Sequence, residues 1–186
     1  MADRPAGSVA RFLAQACAVF VWLAATVPEP ASAQADAEQS ESGGGGPSGL
    51  PLPRFASLRT EPVNLRTGPG VRYPIDWVYQ RRTMPVEIVA EFDTWRRVRD
   101  PDGDEGWVHQ SMLSGRRTAV VRGDAHAIRR AADEISPLVA TVEPGVIVSV
   151  QRCPNAAEYC RVEIDDYQGW IRRDVLWGLL PGEAID

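Results

Sequence analysis

The chain has 186 residues and a net charge of −5, and all 20 of its Lys and Arg positions are arginine. An acidic balance of this kind excludes a general nucleic-acid binder, which needs clustered positive charge to release counterions from phosphates. The first third differs in kind from the rest and is set aside before any fold argument.

Arg4 and Arg11 flank the start of the chain, and the apolar run Phe12–Ala25 follows. Pro28 and Pro30 break that run, and Ala31-Ser32-Ala33 fits the small-x-small cleavage rule. This order predicts a secretory signal peptide over residues 1–33, and hence a periplasmic or secreted mature protein. The run is shorter than the roughly 20 residues a spanning helix needs, so no stable membrane insertion is expected after cleavage. Cys17 lacks the leading Leu of a lipoprotein site. Residues 34–54 hold Gln, Ser, the glycines Gly43 to Gly46, and Pro47, Pro51 and Pro53. With little apolar surface to offset chain entropy, they read as a disordered linker that gives reach.

From Phe55 onward, short alternating runs are broken by Gly, Pro and Asp, the pattern of a small all-β domain. Val86, Ile88, Ala90 and Phe92 share one face of a strand. Asp93-Thr94 turns the chain into Trp95–Arg99. Asp100-Pro101-Asp102-Gly103-Asp104 turns it again, with Gly103 free to take a positive φ. Gly106-Trp107-Val108-His109 is the third strand of the meander. The same order returns as Val146–Val150, then Tyr159–Ile164, an Asp165-Asp166 turn, and Tyr167–Ile171. Ala125 to Ile135 is the one helix candidate, but its alignment with Val63–Arg66 places a strand at its start.

The repeat is explicit in the sequence. Gly106-Trp107-Val108 and Gly169-Trp170-Ile171 lie 63 residues apart, and Met112-Leu113 and Val175-Leu176 follow each at equal distance. The predicted layout is therefore a domain over 55–117, a second over 118–180, and a tail over 181–186. Units near 60 residues are marginal alone, so a shared contact surface is expected. Cys153 and Cys160, the two cysteines of the mature chain, join two β-like runs across a turn. In an exported protein they are expected to form a disulfide stapling a hairpin.

Val63-Asn64-Leu65-Arg66-Thr67-Gly68-Pro69-Gly70, the later Pro74, the Trp95 strand and Gly106-Trp107-Val108 resemble the bacterial SH3-like (Src-homology-3-like) domain. The second copy keeps Arg129, Pro137 and Gly169-Trp170-Ile171 but replaces the opening glycine motif. The resemblance implies an all-β architecture of two tandem small SH3-like barrels, each partly open, in an exported protein. It implies domains that bind cell-wall peptide or polypeptide, or that only target and scaffold. Asn64, Arg66, Gly68, Pro69, Gly106, Trp107, Gly169 and Trp170 are the positions expected to carry the structural motif. Asn64 is expected to fix the opening loop from inside, and Trp107 and Trp170 to be core.

Gly68-Pro69-Gly70 lacks a following helix N-terminus, so it reads as a barrel loop and not a phosphate cradle. Asp100-x-Asp102-x-Asp104 lacks the Gly and Glu of a calcium loop further on, so it reads as a solvated turn. Neither His109 nor His126 completes a catalytic set with a nucleophile. No enzyme activity, cofactor or metal is expected. Trp77 and Tyr79 share a strand face, and with Trp95 and Arg66 they form the candidate groove for an extended peptide: rings supply contact area and arginine pairs a carboxylate. The expected function is a non-catalytic binding module of the cell envelope. Its ligand would be a peptidoglycan stem peptide or a partner protein. The alternative is a scaffolding protein in which copy two only stabilises copy one.

Overall fold

The computed structural model describes residues 46–186. The predicted signal peptide and the linker as far as residue 45 lie outside them. The first repeat forms β1 (Arg54–Leu58), β2 (Val63–Arg66), β3 (Ile75–Tyr79), β4 (Pro85–Phe92), β5 (Trp95–Arg99), β6 (Glu105–His109) and β7 (Leu113–Ser114). The second forms β8 (Thr118–Val121), β9 (His126–Arg129), β10 (Leu138–Val142), β11 (Ile147–Arg152), β12 (Tyr159–Ile164), β13 (Tyr167–Arg172) and β14 (Leu176–Trp177). A one-turn 3-10 segment precedes the last strand of each, Gln110–Met112 and Arg173–Val175. Ala125 to Ile135 is a strand followed by a loop.

Each repeat is one seven-stranded sheet, in the orders β3-β2-β6-β5-β4-β1-β7 and β10-β9-β13-β12-β11-β8-β14. Inward residues from all seven strands of the first sheet meet in one cluster that includes Leu58, Val63, Tyr79, Val86, Val98, Val108 and Leu113. A flat sheet cannot bring these together, so the sheet curls round them. Its end strands do not pair with each other, so the barrel stays open. The second core is built in the same way from Ala119, Ile128, Val142, Val148, Val162, Ile171 and Leu176. Each fully buried Val, Leu or Ile among them contributes about 1.5–3 kcal/mol.

The Gly-Trp step works differently from expectation. Gly106 and Val108 face the core, and so do Gly169 and Ile171, while Trp107 and Trp170 are only half-buried. Strand alternation therefore puts both indoles on the outer face. Trp107 pairs across the sheet with Arg66 and Arg97, and Trp170 with Arg129 and Arg161. The glycine is the inward member of the motif. A Cβ at Gly106 would lie 2.4 Å from Leu65 Cγ, and one at Gly169 would lie 2.5 Å from Ile128 Cγ2 and 2.6 Å from Arg129 O. Close crossing of the last meander strand over β2 or β9 is what requires Gly.

A second departure lies in β4, whose register shifts between Ile88 and Ala90. The bulge reverses the alternation beyond it. Phe92, expected on the core face, is 59% exposed, and Glu91 turns inward opposite buried Arg96. In β11 the same shift falls between Val150 and Arg152.

The predicted disordered linker ends earlier than Arg54. Ser48 N–H and Oγ donate to Glu91 at 2.9 and 2.8 Å, and Arg54 already belongs to β1. The tail is tied down as well. Ile185 exchanges two main-chain hydrogen bonds with Cys153, at 2.7 and 2.8 Å, and Arg117 pairs with Glu183. Cys153 and Cys160 form the disulfide.

The halves share a buried seam. Ser57 Oγ and Thr118 Oγ1 lie 2.6 Å apart, and they reach the carbonyl oxygens of Arg116 (2.6 Å) and Thr83 (2.7 Å). Phe55 meets Trp177 edge to face at 5.0 Å. Arg81 donates to Gly145 O at 3.2 Å.

Candidate functional site

Ile75-Asp76-Trp77-Val78-Tyr79 is a β-branched and aromatic run, which suits a strand. It pairs with β2 on one side, and among the described residues its other edge has no strand partner. Trp77 is 62% exposed there, and Ile75 and Val78 are exposed beside it. Tyr79, two residues on, turns into the core, and its hydroxyl donates to Asp100 Oδ2 at 3.2 Å.

Asp100 is itself buried, at 5% exposure. Its Oδ1 accepts the Asp102 and Asp104 N–H groups at 3.0 and 2.9 Å, an Asx-type brace of the β5–β6 turn. Gly103 takes φ 96° within that turn. Burial first, and the Asp100 carboxylate second, push the Tyr79 phenol far above its ordinary range. The phenol is therefore a fixed neutral donor that anchors the turn to β3.

A crevice of about 420 Å3 opens where this turn, β3 and the second repeat meet. Trp77 and Val78 form its apolar wall, Asp102 and Asp104 its acidic rim, and Arg81, Val120 and Gly145 its far side. The second repeat has no equivalent. Ala140 stands where Trp77 does, since Leu65 pairs with Trp77 and Ile128 with Ala140. By the same offset Val142 replaces Tyr79. Ile164 replaces Asp100, each lying two residues past the inward valine, Val162 or Val98. Apolar residues fill those places in the second copy, so the fold does not require the polar pair.

The predicted groove of Trp77, Tyr79, Trp95 and Arg66 is not assembled as drawn. Tyr79 is core. Arg66 is turned back on its own loop, donating to Tyr73 O at 2.7 Å and Val71 O at 3.2 Å. Trp95 packs edge-on against His109 at 5.5 Å. Neither Arg66 nor Trp95 lines the crevice beside Trp77. The groove is thus acid-rimmed, where sequence reasoning placed an arginine. The Asp100–Asp104 turn was visible as a turn, but nothing local shows that it folds back on a strand 21 residues earlier.

Asn64 is exposed and does not fix the opening loop. Arg66 does so, helped by Gly68, where a Cβ would lie 2.4 Å from the Tyr73 ring; Pro69 sits half-buried between. In the second copy Arg129 donates to Ser136 O at 2.8 Å, and Ser136 Oγ accepts the Ala131 N–H at 2.9 Å. Ser136 thus bonds a loop that lacks the glycines.

His109 Nδ1 lies 2.7 Å from Ser111 Oγ, a contact between a base and a hydroxyl that sequence reasoning missed. The same nitrogen accepts the Ser111 N–H at 3.3 Å, so the imidazole serves as the cap of the Gln110–Met112 turn. Among the described residues no three His, Cys, Asp or Glu side chains gather as a metal site. Among them, too, no helix is long and apolar enough to cross a membrane.

Two small open barrels, each with a brace arginine and a last meander strand that carries Gly-Trp, define a tandem SH3-like protein. The family model described as "Bacterial SH3 domain" matches residues 59–115 and 123–178, together more than half of the chain. The chain belongs to the bacterial SH3 domain family, in two copies. No curated protein matches it. Similar solved structures include NlpC2 and NlpC1 from Trichomonas vaginalis, at 14% and 15% identity and a TM-score of 0.31 for each. Each match covers 67% of this chain but only 48% and 45% of those chains. The chain thus spans less than half the length of either.

Proposed function

We propose that this chain is an exported, non-catalytic binding module of the bacterial cell envelope that takes an extended peptide along the free edge of β3. Membership of the bacterial SH3 domain family and the signal-like order of residues 1–33 support the envelope setting. The observation that carries the binding reading is the unpaired edge of β3 with Trp77 exposed upon it. Exposed apolar edge strands invite pairing with other chains, and folds usually blunt them with charge, Pro or cover. Strand addition uses such an edge for affinity and neighbouring pockets for specificity. The ligand is a peptidoglycan stem peptide or a segment of a partner protein.

Retention of the full chain on purified cell wall, and its crosslinking to envelope proteins, are compared with those of Trp77→Ala. Loss of capture in the variant is expected. Equal capture by both proteins, or none by either, overturns the reading.

A scaffolding role is the second reading, favoured by the Ser57–Thr118 seam, which uses the second repeat as a buttress for the first. A fragment of residues 55–117 that is folded and keeps all binding would assign the second repeat to support alone.

A further inference from the structure

We infer that the occupant of the β3 edge is an L-peptide segment of a partner protein, about five residues long, that lays a basic side chain over Trp77 between Asp102 and Asp104. This inference rests on the peptide-binding reading above and narrows it to one source and one charge.

Three features carry it. The first is the edge itself. Ile75–Tyr79 is a five-residue strand whose register with β2 shifts between Ile75 and Trp77; from Trp77 to Tyr79 the pleat is regular, and a strand pairs there only with a partner whose donors and acceptors alternate in the same way. A run of L-residues does so. A short stem peptide containing D-residues does not keep that alternation. The second is Trp77. A large ring 62% exposed on a strand edge presents its face to a ligand, and an indole face attracts a cation more strongly than other rings do. The third is charge. The β5–β6 turn sets the exposed carboxylates of Asp102 and Asp104 on the rim of the Trp77 crevice, and Asp76 lies exposed on β3 itself. Arg81, which also lines the crevice, is directed to Gly145 O. The balance of the rim is therefore negative.

The second repeat supplies an internal control. Its edge strand β10 is also free on one side, but Ala140 stands in the place of Trp77. The Tyr79–Asp100 bond that fixes the acidic turn to β3 has apolar counterparts, Val142 and Ile164. Only the first barrel combines edge, ring and rim, so one peptide per chain is expected.

The test is a titration of the full chain with blocked seven-residue peptides of alternating Thr and Val, carrying Lys, norleucine or Glu at the centre. Tryptophan fluorescence and the backbone amide signals of residues 75–79 report binding. The Lys peptide is expected to bind roughly tenfold more tightly than the norleucine peptide, the Glu peptide more weakly still, and the all-D Lys peptide not at all. Replacing Asp102 and Asp104 together by Asn leaves the Asp100 brace in place. That variant should remove the preference for Lys while keeping residual binding of the norleucine peptide. Equal binding of the Lys, norleucine and Glu peptides overturns the charge assignment and leaves the peptide reading standing. Binding of soluble wall fragments, with shifts at residues 75–79 and tighter than the Lys peptide, overturns the choice of partner. Absence of binding by every peptide and every wall fragment overturns this inference and the peptide reading together.

Discussion

Arg96 in the first barrel stands where Cys160 stands in the second. Each lies two residues before the inward valine, Val98 or Val162, that pairs with Ile88 or Val150 just ahead of the bulge. Across the hairpin their partners are Glu91 and Cys153. One barrel thus closes this position with an ion pair and the other with a covalent bond. Each closure also captures a chain segment: Ser48 and Arg54 bind Glu91, and Ile185 pairs with Cys153.

Glu91 sets an acid limit on stability. Burial alone would raise its pKa, but the Ser48 N–H, Arg54 and the Ser48 hydroxyl bond the charged form and hold it at about 2, against an ordinary 4.5. The folded pKa is depressed, so this stabilisation is complete above about pH 4.5 and is lost as pH falls towards 2. Glu91→Gln should flatten that part of the acid-unfolding curve. Glu91→Ala, which leaves buried Arg96 without its carboxylate, should cost about 2–3 kcal/mol at neutral pH. Denaturant midpoints at pH 7 and pH 3 measure both.

Reduction of the Cys153–Cys160 bond should lower the melting temperature by roughly 8 °C at most, because so short a loop contributes about 2 kcal/mol or less. Amide exchange adds a specific sign: the Ile185 N–H, which donates to Cys153 O, should lose protection on reduction. An unchanged melt with and without reductant would remove the stapling role.

The two Gly-Trp glycines differ in what surrounds them. At Gly106 the nearest atoms to an added Cβ belong to the Leu65 side chain, whereas at Gly169 the main-chain oxygen of Arg129 is also within 2.6 Å. Side chains yield more readily than backbone. Gly169→Ala should therefore be the more destabilising of the two. Overpacking costs of about 1–3 kcal/mol apply to each. Thermal denaturation of both variants checks the order.

Thr118→Val replaces the hydroxyl at the seam between the halves with an isosteric methyl. Ser57 and the Thr83 carbonyl lose a buried partner, at a cost of about 1–2 kcal/mol. Trp177→Ala removes the edge-to-face contact with Phe55 from the same seam. Combined, the two changes should split a single calorimetric transition into two.

Much of the architecture was legible because it is written locally and twice. The meander strands and their turns follow from alternation and from the 63-residue offset, which also aligns Arg66 with Arg129. That these arginines brace the opening loop did not follow, since Asn64 was expected there and Arg66 in the groove. The bulges were not legible, because one extra residue in β4 leaves the apolar alternation formally intact through Phe92 while turning Glu91 inward. Trp107 and Trp170 were expected in the core, but the close approach of β2 or β9 requires the neighbouring glycine to face inward and so sets each indole outward. The site was legible only at Trp77. Its acidic rim depends on the Tyr79–Asp100 bond, which links residues 21 positions apart and leaves no mark in either local pattern.

The connector between the barrels is held at Arg116 by Ser57 and at Arg117 by Gly178 and Glu183. A tandem joined in this way cannot swivel to gather two ligands, so it forgoes the avidity that a slack tether confers. Its halves act as one stiff piece, so anything seated on the first barrel is presented at a fixed distance from the second.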